Sequence, residues 1–110
     1  MPANPVNVTL TEEVYYLLGS PAAPSVTQNE QSNILRVDRY LNHAYQILTE
    51  ESAEVRINVS LDGVTWFTLD TKTVNHFAQV NGLIRYVQAV RGNTTDAVKV
   101  IWASRSFYEG

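Results

Sequence analysis

From residue 55 to residue 61 apolar and polar side chains alternate without a break, with Val55, Ile57, Val59 and Leu61 on one side and Arg56, Asn58 and Ser60 on the other. A strand has a side-chain period of two, so this pattern turns one face to a core and the other to water. The run stops at Asp62-Gly63, and Val64, Trp66 and Phe67 start the next apolar segment. An Asp-Gly pair between two such segments is a hairpin signal. A two-residue type I′ turn needs positive φ at both positions, which glycine adopts freely and aspartate more readily than most residues. The turn predicts that Val59 and Trp66, on the two joined strands, share a core.

The same alternation recurs along the chain. Residues 5–10 alternate, and Val14-Tyr15-Tyr16-Leu17-Leu18 adds a β-branched and aromatic run that Gly19 ends, so two strands are predicted there. Residues 73–80 form a weaker strand candidate. Residues 83–90 are apolar on both faces, as a central strand requires. Residues 91–96, Arg-Gly-Asn-Thr-Thr-Asp, carry turn chemistry, and residues 98–104 close the sheet. Residues 34–51 carry two periods at once. Val37, Leu41, Ala44, Tyr45 and Leu48 lie on a helical stripe, while Ala44, Gln46 and Leu48 alternate against Tyr45 and Ile47. The alternation favours a strand over 43–48 that turns through 49–52 into the hairpin. Residues 19–33 are poor in large apolar side chains and long for a connection, which predicts an extended arm or a long loop. Short strands with turn signals about every 8 to 12 residues predict an all-β chain, a β-sandwich of jelly-roll or Greek-key type. A single domain over residues 1–110 is expected, with a flexible C-terminal tail over 104–110.

Composition narrows the function. A chain of 110 residues, 45% hydrophobic and 17% charged, is large enough for one core and too apolar for a disordered chain. Its net charge is −3 and it holds eight Lys and Arg in all, which argues against a nucleic-acid partner; Arg36, Arg39 and Arg56 are the candidates for a local basic patch. It contains no cysteine, which removes disulfides, thiolate chemistry and Cys-based zinc sites and fits folding in a reducing cytoplasm. The start, Met-Pro-Ala-Asn-Pro, has no basic region before an apolar run, and no segment approaches the ~20 apolar residues that span a bilayer, so neither export signal nor membrane partner is expected.

Candidate chemistry is thin. His43 and His76 are the two histidines, too few for a three-His zinc site and not at i, i+4 spacing. Ser60 precedes a plain hairpin turn and no Gly-x-Ser-x-Gly elbow is present. Asp62 and Asp70 flank one strand and are explained by turn and strand-end duties; with Asp96 they lack an Asp-x-Asp-x-Asp-Gly calcium pattern. Tyr15, Tyr16, Tyr40, Tyr45, Trp66, Tyr86 and Trp102 are either core or a stacking face for sugar. No catalytic residue, metal ligand or cofactor site is nominated, and the chain is expected not to be an enzyme.

The run Ser60-Leu61-Asp62-Gly63-Val64-Thr65-Trp66, the apolar strand over 83–90, the Gly92-Asn93-Thr94-Thr95 turn and the closing strand over 98–102 resemble small β-sandwich virion proteins of tailed bacteriophages. They are most similar to the short head-decoration proteins, called cement or stapling proteins, of short-tailed phages. The resemblance covers roughly residues 43–104. It implies a non-enzymatic structural protein, made in the host cytoplasm, that binds the outside of the capsid and reinforces it by bridging capsid subunits. Its implied partners are major capsid protein subunits and, in an oligomer on the shell, the chain itself. Residues 1–4, 19–33 and 104–110 are then candidate arms, since extended segments add strands to a partner's sheet or lie in its groove; frayed ends and a mobile loop are the plainer reading. The rival is a carbohydrate- or receptor-binding module of a phage tail, which predicts Trp66 and at least two tyrosines exposed on one face.

Overall fold

The computed structural model describes residues 8–51 and 53–109, and among them eight strands and no helix make up the regular structure. The strands are β1 (Val8–Leu18), β2 (Leu35–Arg36), β3 (Asn42–Thr49), β4 (Val55–Ser60), β5 (Trp66–Lys72), β6 (His76–Asn81), β7 (Tyr86–Arg91) and β8 (Val98–Glu109). Their pairing is nested and antiparallel: β4 with β5, β3 with β6, β2 with β7 and β1 with β8. The chain is therefore one long hairpin whose apex is the turn after Ser60. Contacts of β3 with β8 and β4 with β7 roll it into two four-stranded sheets, of order β1-β8-β3-β6 and β2-β7-β4-β5. This is a jelly-roll sandwich, an all-β fold of the predicted kind.

The inner faces follow the period of two. His43, Tyr45 and Ile47 of β3 alternate with half-buried Asn42, Ala44 and Gln46, and Val98, Val100, Trp102 and Ser104 of β8 point the same way. The stretch with two periods thus resolves as strand over Asn42–Thr49, because β3 pairs with both β8 and β6 and gains ladder bonds on both edges. Trp102 is the largest fully buried side chain, stacked on Tyr45 with ring centroids 5.6 Å apart and planes 4° from parallel. Leu18, Ile47, Val55, Ile57, Val87, Ala89, Val98 and Val100 surround them.

Three of these expectations change. The two predicted N-terminal strands are one, because Thr11, Glu12 and Glu13 stay in register with Ser106, Arg105 and Ser104, and Glu12 faces an opposite charge. The segment from Ser104 to Glu109, expected as a flexible tail, is the second half of β8 paired with β1. The expected arm at 1–4, the start of the 5–10 strand and Gly110 lie outside the described residues. Trp66 is not in a core with Val59. It pairs with Ser60, which pairs with Tyr86, so Trp66 stands half-buried on the outer face, while Val59 lies across from Val87 and packs on the inner one.

Residues 19–33 form a long loop pinned to the body, not a free arm. Ser25 exchanges backbone bonds with Val98, and the Asn29 and Ser32 amides donate to the carbonyls of Gly92 and Ala89. The Arg91 amide donates to the Glu30 carbonyl, and the Ala89 amide to Ser32 Oγ at 2.9 Å. The loop therefore runs along β7 where a longer β2 would pair. Its clamp is the Arg91 guanidinium, which is fully buried and donates to the carbonyl of Ser25 at 2.7 Å and to those of Thr94 and Asp96.

Candidate functional site

The apex of the folded hairpin is organised by Ser60 and Asp62. Residues 61–65 connect the strands, so the predicted two-residue turn is replaced by a wider loop. Asp62 Oδ1 accepts from the amides of Val64 at 2.8 Å and Thr65 at 2.7 Å, and Oδ2 from the Thr65 hydroxyl at 3.0 Å. Ser60 Oγ donates to Asp62 Oδ1 at 3.0 Å and accepts from the Gly63 amide at 2.9 Å. An aspartate that holds amides two and three residues ahead outcompetes the tighter turn. These bonds, led by the Thr65 and Val64 amides, hold the Asp62 carboxyl well below the usual carboxylate range.

Gly63 has φ of 81°, the left-handed region the sequence requires of it. A Cβ there would sit 3.4 Å from the Tyr86 ring. Gly63→Val is therefore expected to cost about 1 to 3 kcal/mol through backbone strain more than through packing. Thermal melting checks it: a variant that melts with the parent contradicts it.

Beside this loop, at the end of the sandwich, lies an open groove of about 630 Å³ lined by Val59, Leu61, Trp66, Phe67, Leu83 and Ile84. Leu61, Phe67 and Leu83 are 59%, 67% and 58% exposed. Leu61 was expected inside with Val59. It falls beyond the end of β4, where the chain turns and the core no longer reaches. Trp66 and Phe67 are consecutive and so occupy opposite faces of β5, which makes the start of that strand apolar on both sides. The groove is an open apolar concavity. Burying one Leu or Phe side chain contributes about 1.5 to 3 kcal/mol, so a few anchors there suffice for a protein contact.

The other candidates do not converge. His43 Nδ1 is 2.8 Å from Ser104 Oγ, and that oxygen also accepts from Trp102 Nε1 at 2.9 Å. Such a pair has the spacing of a nucleophile and its base, yet both residues are buried between the sheets. His76 lies on β6, with Nε2 3.2 Å from Asp70 Oδ2; the same oxygen accepts from the Tyr45 hydroxyl at 2.5 Å. Asp70 thereby ties β5 to β3 and β6 across the sandwich. Asp96 contributes its carbonyl to Arg91, and Asp62 serves its own turn, so the three aspartates do not meet. Among the described residues no three His, Asp or Glu side chains are placed to hold a metal ion.

Arg36, Arg39 and Arg56 do not make a basic patch, since each has a carboxylate neighbour: Asp38 at 2.9 Å, Glu13 at 3.0 Å and Glu54 at 3.6 Å. Glu13 also accepts from the Tyr40 hydroxyl, and hydrogen bonds from Tyr15 and Tyr40 keep its carboxyl below the ordinary value. The same Glu13 contact pushes the Tyr15 hydroxyl up to about 12. Of the tyrosines, Tyr86 joins Trp66 on the outer face of its sheet, while Tyr40 and Tyr45 are buried and Tyr15 and Tyr16 belong to the other sheet.

Burial lowers the His43 imidazole below its ordinary value of 6.5, with backbone bonding near Gly82 and Tyr40 acting against the shift. The folded state therefore holds this ring neutral. Its stabilisation is complete above the unfolded value and is lost as pH falls from there through the folded value. His43→Phe is expected to flatten the fall in melting temperature between about pH 7 and 5. An unchanged slope would assign the loss to other groups. Asp62 and Glu13, both held low, act at more acid pH.

No protein-family model matches this chain, and no curated protein matches it in sequence. Its fold is that of the SPBc2 prophage-derived protein YomS, whose crystal structure aligns with a TM-score of 0.70 at 12% identity over 94% of this chain and 100% of that one. A chain in the crystal structure of Drosophila melanogaster CENP-C bound to CAL1 is similar in part, with a TM-score of 0.40 at 14% identity over 88% of this chain and 60% of that one.

Proposed function

We propose that this chain is a non-enzymatic structural protein of a tailed bacteriophage that binds the outside of the capsid and reinforces it by bridging capsid subunits. The observation that carries the reading is the open apolar groove held at the hairpin apex by Ser60 and Asp62. A preformed apolar surface on a rigid loop recognises another protein without an ordering cost. The phage origin draws support from the end-to-end fold match to a prophage-derived protein. The tail-module alternative, which needs several rings on one open face, has less behind it, because among the described residues Tyr86 is the one tyrosine that joins Trp66. Binding at two capsid subunits at once makes the second contact intramolecular, so modest grooves suffice for tight decoration.

The test is co-sedimentation with undecorated heads of the phage that encodes the chain. The parent is expected to pellet with the shells, and the double variant Leu61→Asp, Phe67→Asp to bind about tenfold or more weakly while melting with the parent. Equal binding by the variant would move the contact off the groove. Failure of the parent to pellet would remove the capsid reading.

A further inference from the structure

A sheet edge offers unpaired amides and carbonyls to any strand that can reach it, and folded proteins guard their edges with charge, bulges, proline or brevity. Three of the four edges here are guarded. β1 carries Glu12 and Glu13 and a register shift between Tyr16 and Leu18. β5 carries Asp70 and Lys72, and its pairing shifts register at Ile57 and Asn58. β2 has two residues, and the 19–33 loop covers β7 beyond it. The fourth edge, β6, is different. Its sequence His-Phe-Ala-Gln-Val-Asn has no Lys, Arg, Asp, Glu or proline, and its register against β3 runs unbroken from Asn42↔Asn81 to Ile47↔His76. Phe77 is 62% exposed on its outer face, and Val74, just before it, is exposed as well.

We propose that β6 is a self-association edge, pairing antiparallel with β6 of a second copy of this chain across a two-fold axis and joining two sheets of order β1-β8-β3-β6 into one eight-stranded sheet. The occupant follows from self-complementarity. Each residue of a two-fold strand pair meets its own strand, so any charge near the axis would face its like, and β6 has none of the four charged types. The faces are sorted for it: Phe77, Gln79 and Asn81 lie outside and His76, Ala78 and Val80 inside. Paired residues must share a face, so the axis passes through a residue, Ala78 or Gln79, and not between them. Either choice continues the outer row Tyr16, Ile101, Gln46, Phe77 into the second copy and covers Phe77 with the facing Gln79 or Asn81. This inference is independent of the capsid reading and is tested without shells.

The chain has no cysteine, so single cysteines report the contact cleanly. Ala78→Cys and Gln79→Cys place thiols at the two candidate axis positions, where antiparallel partners lie within the range of about 4.4 to 6.8 Å between Cα atoms that a disulfide spans. Mild oxidation is expected to link at least one of them into a covalent dimer in high yield, while Thr71→Cys on β5 stays monomeric. In sedimentation equilibrium at micromolar concentration the parent is expected to be a dimer, and Gln79→Lys to weaken it about tenfold or more with an unchanged melting temperature. A monomeric parent, a dimer that Gln79→Lys leaves intact, or equal cross-linking at position 71 would each overturn the proposal.

Discussion

Trp102→Ala is expected to remove about 3 to 5 kcal/mol of stability, the usual cost of truncating a fully buried tryptophan. Total stability of a domain is of the order of 5 to 15 kcal/mol, so this one change brings the chain close to unfolding. The cost has two parts. The ring stacks on Tyr45, and its loss leaves a cavity between the two sheets, over the inner face of β3 and β8, that neighbouring valines cannot fill. Its Nε1 hydrogen also serves Ser104 Oγ, which then keeps only His43 as a side-chain partner. Urea titration measures the effect, with Trp66→Ala beside it expected to cost clearly less because that ring is half-buried on the outer face. A loss of under about 1 kcal/mol at Trp102, as at a surface position, would contradict the assigned core.

Arg91→Met is expected to cost about 3 kcal/mol by a different route. Methionine fills much of the space but donates nothing, so the carbonyls of Thr94 and Asp96 lose this donor, while that of Ser25 keeps the Val98 amide. Stranding a buried acceptor costs about 1 to 3 kcal/mol each, reduced where water reaches it. The damage should be local first. Amide exchange at Ser25, Asn29 and Ser32, which bond to β7, β8 and Gly92 through the loop, is expected to rise before the rest of the sheet melts. A variant with the parent's melting temperature and loop protection would show that the loop is held by other means. Deleting residues 28–32 should accordingly harm the fold itself, contrary to the behaviour of a free arm.

What could be seen in the sequence was local. The Val55 to Val59 alternation encodes its own geometry, and the Asp62-Gly63 pair marks the apex of the whole nested hairpin, in a loop over 61–65 and not in the two-residue turn it suggests. The strand at β3 was less legible, since its helical stripe loses only when β8 and β6 arrive on either side. Which tryptophan enters the core was not encoded locally: Trp66 and Trp102 both sit in alternating strands, and only the partner sheet decides which faces inward. Arg91 was hidden for the same reason. At the start of a turn-like run it resembles a solvated charge, and its burial depends on Ser25, 66 residues away. The groove residues Leu61, Phe67 and Leu83 carry no motif, because an exposed apolar side chain differs from a buried one only in what lies opposite.

The proposal that this jelly roll is a capsid-reinforcing phage protein is tested most directly by electron microscopy of undecorated phage heads saturated with the purified chain. The expected result is added density on the outer surface, shaped as one sandwich per site and touching two neighbouring capsid subunits, with the Leu61 and Phe67 end against the shell. Bare shells at saturating protein, or density confined to the tail, would contradict it.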